Sequence, residues 1–326
     1  MTLPANPLRN AAARLGLGRA LYHLWHQPLG AIARSRREGG PYNQWLNFRG
    51  RRAMEEAART LPPVPMTAPA DASEVCFLTG RKFWHQTAFC CWSLCRHAGI
   101  GLAPAFIDDG TFDQALRAEI LRLFPGASLL DRVEIESRLE THLPVARFPS
   151  LRGQRRNYIQ LRKLTDAHAG HRGWRLVLDS DMLFFRRPDL LLDWLAAPDR
   201  PIHMRDVQDS YGYPDATLRE LAGRPLPSRL NVGICGLRSD ALDWDKLEWW
   251  CAQLLARHGT SYYLEQALVA LLLADQTPLC LPSQDYRLLP PESECRAPTA
   301  ALHHYVAESK RGYFRHAWKH VINNPA

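Results

Sequence analysis

No apolar run in this 326-residue chain approaches the roughly 20 residues that a bilayer-crossing helix needs; the longest, ALVALLLA at 267–274, is far shorter. The eight cysteines form no CxxC pair and no zinc-type spacing. Trp84, Ala88, Cys91 and Cys95 instead share one helical face, as small core residues do in a reducing compartment. No internal repeat or low-complexity tract is present. GLGRAL at 16–21 lacks both a preceding strand and the third glycine of a dinucleotide fingerprint. Acidic residues are missing altogether up to Arg37, where six arginines are interleaved with leucines, Tyr22 and Trp25.

What is present fits a large globular core. Hydrophobic residues make up 46% of the chain, and a formal net charge of +8, with 13 histidines besides, favours anionic partners. The charge is concentrated in the N-terminal arm and comes with no nucleic-acid-binding module, so a nucleic-acid partner is not expected. The arm has transit-peptide composition without a secretory core, and Gly16 and Gly18 weaken any helix there. Its basic and aromatic residues suit an anionic membrane surface, so a cytoplasmic protein attached peripherally to the inner membrane face is expected. LPPVPMTAPADAS at 61–73 reads as a linker, which gives a basic helical extension over 1–70 and a main domain over 71–326.

After the linker the pattern alternates. EVCFLTG (74–80) and LAPAFIDDG (102–110) read as strands that end in turns, and 83–99 and 111–126 read as the helices that follow them. A third strand near 127–135 and a basic helix over 154–170 precede WRLVLDSDM, and 205–229 reads as a long polar loop. Such alternation predicts an α/β domain with a Rossmann-like, mainly parallel sheet covered by helices. Ligands of these sheets gather at the carboxyl ends of the strands, so Thr79, Gly80 and Asp109 are expected to line a nucleotide pocket.

LVLDSDMLFF at 176–185 sets Asp179 and Asp181 at the end of a strand. Side chains alternate there, so the two carboxylates share a face and Ser180 points away. Their repulsion is relieved by a hard cation, Mg²⁺ or Mn²⁺, which still leaves coordination positions for phosphate oxygens. A solvated turn capping the next helix is the plainer alternative.

Taken with three later stretches, this strand resembles the glycosyltransferases of the GT-A fold, and most of all the family 8 retaining enzymes. The stretches are LVLDSDMLFFRRPDLLLDWL with its DxD, RLNVGICGL at 229–237, LEQALVALLL at 264–273 and LHHYVAESK at 302–310. The chain departs from the family's motifs at Leu230, Glu265, Ala307 and the Arg-Gly after Lys310. The resemblance implies a manganese- or magnesium-dependent transferase that takes a sugar from a nucleotide diphosphate, a UDP-sugar foremost, to a glycan or lipid-linked acceptor. It implies metal ligation by Asp179, Asp181 and His304, with His303 as the alternative histidine. Donor contacts fall to Thr79, Gly80, Asp109, Lys163, Ser180, Asn231 and Gly233, with Arg162 as the other candidate to Lys163. Glu265, Gln266 and Lys310 are the catalytic candidates: the first two back the sugar, and Lys310 draws the leaving diphosphate. An inverting reaction would need a base instead, for which Asp206, Asp209 and Asp215 are available. Two other functions use similar residues, a haloacid-dehalogenase-like phosphatase and a non-catalytic nucleotide-sugar or glycan-binding protein.

Overall fold

The computed structural model describes residues 40–64 and 73–323. The arm before residue 40, with Gly16 and Gly18, and the linker residues 65–72 lie outside the described residues. Among the described residues no helix is long and apolar enough to cross a membrane.

The main sheet has seven strands: β1 (Ser73–Thr79), β2 (Leu102–Asp108), β3 (Ser128–Leu130), β4 (Trp174–Leu178), β6 (Ile202–Arg205), β7 (Leu230–Arg238) and β8 (Leu279–Cys280). Their order is β3-β2-β1-β4-β7-β6-β8. β1 pairs in parallel with both β2 and β4, whereas β7 runs antiparallel between β4 and β6. Eight of the nine residues of β7 are buried, which explains its nearly unbroken apolar sequence. The chain steps outward from β1 through β2 to β3 and then crosses to β4 on the other side of β1. That reversal opens a crevice at the carboxyl ends of β1 and β4.

A second sheet of three strands was not anticipated. It joins β5 (Met182–Phe184), β9 (Tyr286–Leu288) and β10 (Leu302–His304) in the order β5-β10-β9. β10 lies antiparallel to β5, with His304 opposite Met182. The C-terminal stretch therefore lies against the chain just after the two aspartates, as a third ligand from His304 requires.

Other expectations are corrected. The 154–170 segment is three pieces: a helix Pro149–Asn157, a 3₁₀ turn Ile159–Leu161 and a helix Arg162–His168, broken at Tyr158, whose backbone is extended. Arg155 and Asp166 hold the pieces together by a two-point ion pair buried in the bend, so Arg155 is a structural cation. The third strand covers only 128–130, and a helix Arg132–His142 follows. The long polar loop contains a helix, Asp215–Ala222.

Two apolar clusters cover the sheet. Phe77, Phe106, Leu176 and Ile202 belong to one, Cys76, Ile107, Val177 and Cys235 to the other, as strand alternation dictates. The first cluster also takes in Met54, Ala58, Leu61 and Val64 from the end of the helix Pro41–Thr60 and the residues after it.

Candidate active site

β4 ends at Leu178, and the N–H of the next residue, Asp179, donates to the Gly233 carbonyl at 2.8 Å, which extends the β4–β7 ladder by one residue. Ser180 turns away, as alternation requires. Its hydroxyl accepts from Thr87 Oγ1 at 2.8 Å and donates to the Leu78 carbonyl at 3.3 Å, so it braces β1 against the aspartate turn. The Asp181 carbonyl accepts from the Tyr305 N–H at 2.8 Å, which ties the turn to the end of β10. Both carboxylates thus converge on His304.

His304 Nε2 lies 3.5 Å from Asp179 Oδ2 and 3.3 Å from Asp181 Oδ1. One ligand atom from each of the three residues lies within 4.8 Å of the others. The imidazole is only 2% exposed, yet neither ring nitrogen makes a well-directed hydrogen bond. A buried nitrogen without a partner is costly, and a cation between the three groups would satisfy it. Oxygen, oxygen and imidazole nitrogen are a donor set that fits a hard or borderline divalent ion. Gly233 makes room for the ring: a Cβ there would collide with His304 and with the methyl of Met182. His303, the alternative ligand, faces away, where its ring bonds Glu294 and Tyr305 at 2.9 Å each.

Two lysines balance the carboxylates. Lys163 Nζ is 2.7 Å from Asp179 Oδ1 and 3.1 Å from Glu265 Oε2, and Lys310 Nζ is 3.0 Å from Asp181 Oδ2. Burial works against the Lys163 charge, but Asp179 and Glu265 outweigh it and hold the ammonium protonated. Burial likewise opposes ionisation of Asp181, yet His304 and Lys310 keep its carboxyl well below the usual carboxylate range. Glu265 goes the other way: burial first, then Asp179 against the pull of Lys163, pushes its carboxyl up to about 7. Asp179 and Asp181 balance the two ammonium groups, so a divalent ion held there would leave the centre positive toward a phosphate.

Around this centre lies a cavity of about 520 Å³, lined by the metal-ligand candidates Asp179, Asp181 and His304, the three catalytic candidates and every donor-contact candidate except Gly80; the alternatives His303, Arg162, Asp209 and Asp215 lie off its wall. Gly80 lies beside it, where any side chain would collide with the Asp109 carboxylate. Thr79 is buried, with Oγ1 2.6 Å from Thr87 Oγ1. Asp109 bonds Thr111, and Arg162 Nη1 donates to its carbonyl at 2.7 Å, so Arg162 reaches the strand end without facing the aspartate pair.

One residue rises in importance. Asp206 Oδ2 accepts from Asn231 Nδ2 at 3.1 Å and Gln266 Nε2 at 3.4 Å, and its Oδ1 accepts from the N–H groups of Val207 at 2.7 Å and Gln208 at 3.5 Å. Gln266 also donates to the Ser210 carbonyl at 2.8 Å. These bonds shape the long loop into one wall of the cavity. Asp209 accepts from the Arg229 N–H, and Asp215 pairs with Arg219 in the open. Tyr158, Tyr262 and Tyr263 also line the cavity, and sequence reasoning missed them. The signal was SYYLEQ, two adjacent tyrosines at a helix start, the kind of aromatic pair that favours a mouth over a core.

Among solved structures the chain is similar to mouse xyloside xylosyltransferase 1 in its apo form, with TM-score 0.51 and 14% identity over 74% of this chain and 99% of that one. This chain has the GT-A fold. The galactosyltransferase LgtC, solved with donor and acceptor sugar analogues, aligns at TM-score 0.47 and 14% identity over 72% of this chain and 87% of its own. The bifunctional glycosyltransferase WbbM aligns at 0.48 and 13% over 80% and 52%. No family profile matches the sequence, and no curated protein matches it. In this GT-A chain the aspartate turn occupies the crevice between β1 and β4 where the topology places a ligand.

Proposed function

We propose that the protein is a metal-dependent glycosyltransferase that moves a sugar from a nucleotide diphosphate, a UDP-sugar foremost, to a glycan or lipid-linked acceptor with retention. The observation that carries this is the buried, hydrogen-bond-free His304 imidazole facing Asp179 and Asp181 at the topological switch point. Those three residues would hold Mn²⁺ or Mg²⁺, which supplies Lewis-acid neutralisation of a diphosphate. Lys310, partly exposed beside Asp181, would meet the same diphosphate as a point charge and stabilise it as it leaves. Glu265 and Gln266 open the helix Leu264–Leu272 on the cavity wall, where they would hold the donor sugar; Asn231 lies next to Gln266 through Asp206.

Retention is favoured by what the loop acids are doing. The four N–H donors on Asp206 occupy about all the lone-pair sites of a carboxylate, which leaves none to take a proton from an acceptor. Glu265 is buried and oriented by Lys163, a placement suited to facing the anomeric carbon rather than an incoming hydroxyl. The basic arm and a cytoplasmic location at the inner membrane face belong to the same proposal, as does a catalytic domain distinct from the N-terminal extension.

The test is differential scanning fluorimetry with Mn²⁺ and a panel of UDP-, GDP-, ADP- and CMP-sugars, repeated on Asp181→Ala. One donor should raise the Tm only with metal, and the variant should lose the shift. Stabilisation by simple phosphate esters alone would point to phosphoryl chemistry and overturn the proposal. A donor that binds but is neither transferred nor hydrolysed would make the protein a binder.

A further inference from the structure

The helix Pro41–Thr60 has two unlike faces. Met54 and Ala58, near its end, are buried, whereas Tyr42, Trp45 and Phe48 are 69%, 48% and 62% exposed. At 100° per residue these three aromatics fall within one third of the helix circumference, and Arg49 and Arg52 fall on the same side. The Arg49 guanidinium lies 4.8 Å from the Trp45 ring centroid, and Tyr42 stacks on Trp45 at 6.0 Å. From Gly40 to Met54 the sequence has three arginines and no carboxylate. Three large aromatics in a row left in water are unusual for a solvated helix, and the first three turns that carry them hold only positive charge, the carboxylates Glu55 and Glu56 coming a turn later.

We propose that this face is an interfacial anchor for an anionic lipid surface. Aromatic rings at the level of lipid headgroups, flanked by arginines, are the arrangement by which a helix lies flat in the boundary between water and acyl chains. The arginines select a negative surface, each adding about 1 kcal/mol near anionic lipid. Charge complementarity is the reason to choose lipid over a second copy of this chain: two such faces would bring like charges together. The inference rests on the membrane part of the proposed function and narrows it to the first three turns of one helix.

The experiment is flotation of the full chain with vesicles of phosphatidylcholine alone and of phosphatidylcholine mixed with phosphatidylglycerol. Binding is expected only to the anionic vesicles. The triple variant Tyr42→Ser, Trp45→Ser, Phe48→Ser should bind them at least about tenfold more weakly. Arg49→Glu should weaken the preference for anionic lipid. The three aromatics and Arg49 are exposed, so each variant should keep the wild-type Tm and the wild-type thermal shift with a nucleotide-sugar. Undiminished vesicle binding by the triple variant, or concentration-dependent self-association without lipid that the triple variant lacks, would overturn the inference. Absence of any metal-dependent donor shift in the wild-type chain, with vesicle binding intact, would instead sink the transferase reading and leave this one standing.

Discussion

The tightest constraint at the scale of single residues is Gly233. It was picked out as a place of close approach to a donor sugar, but the atoms that need its missing side chain are those of His304 and Met182. Gly233→Ala must push the imidazole off the aspartate pair. It should lower stability by about 1–3 kcal/mol, in the range of an overpacked core. It should also weaken Mn²⁺ binding measured by calorimetry, and wild-type metal affinity in that variant would refute the account. Lys163 is the second pivot. Removing one partner of a buried ion pair costs about 3–5 kcal/mol, because the remaining charge is left uncompensated. Lys163→Met should therefore show a loss of that order in urea denaturation. Adding Glu265→Gln should recover at least half of the loss, since only Asp179 then lacks its partner. Additive losses in the double variant would show that the three side chains are not coupled.

The element that decides the site is β10, because alternation along three residues sends His303 and His304 to opposite sides. His304 faces the carboxylates, whereas His303 is buried among Glu294, Tyr305 and Arg287. Burial lowers the His303 pKa to about 4, despite the opposing pull of Glu294, and burial together with Arg175 lowers that of His168, in the helix Arg162–His168, to about 3. Both folded-state values lie below the ordinary value of 6.5. Between pH 6.5 and about 4 the unfolded chain therefore binds up to two more protons than the folded one, and stability falls as pH falls. The slope reaches about 1.4 kcal/mol per pH unit for each ring. Glu265, whose folded-state value of about 7 lies above its ordinary 4.5, works in the opposite direction over the same window and offsets about one ring. Metal-free Glu265→Gln protein should therefore lose about 2–4 kcal/mol from pH 7 to pH 5 in chemical denaturation, and adding His303→Gln should flatten that slope by about half. A level profile in the Glu265→Gln protein would contradict the buried, neutral assignment of the two rings. These elements also mark how far the sequence was readable. β1, β2 and β4 were legible because each is an apolar run that ends in a turn or an acid. β5 and β9 were not, since three-residue strands carry no periodicity, and β10 could be expected beside the aspartates only through His304 as a third ligand. The break at Tyr158 was hidden because its cause, the Arg155–Asp166 pair, joins residues across a bend that no local pattern signals. Asp206 was visible only as one of three acids in a loop; its role depends on Asn231 and Gln266, which approach from β7 and from the helix Leu264–Leu272.

For the molecule as a whole, the open matter is where the self-sufficient domain begins. The proline-rich stretch suggested a start near residue 71, but the chain before it is built into the core. Met54, Ala58, Leu61 and Val64 are buried in the cluster that contains Phe77 and Phe106. The Val64 N–H donates to the Leu123 carbonyl at 2.9 Å, Arg122 donates to the Leu61 carbonyl at 2.9 Å, and the Trp92 indole donates to the Pro62 carbonyl at 3.0 Å. The buried Met54, Leu61 and Val64 side chains at about 1.5–3 kcal/mol each, with a smaller term from the Ala58 methyl, amount to on the order of 5 kcal/mol once the compactness of the unfolded chain is allowed for. That is comparable to the whole stability of many domains. A chain that starts at Met54 should therefore keep the wild-type Tm within about 2 °C and bind donor and metal normally. A chain that starts at Ser73 should unfold at least about 10 °C lower or aggregate on expression. If the shorter chain melted with the full-length protein, the Met54–Val64 segment would be an appendage, and the boundary read from the prolines would be the true one.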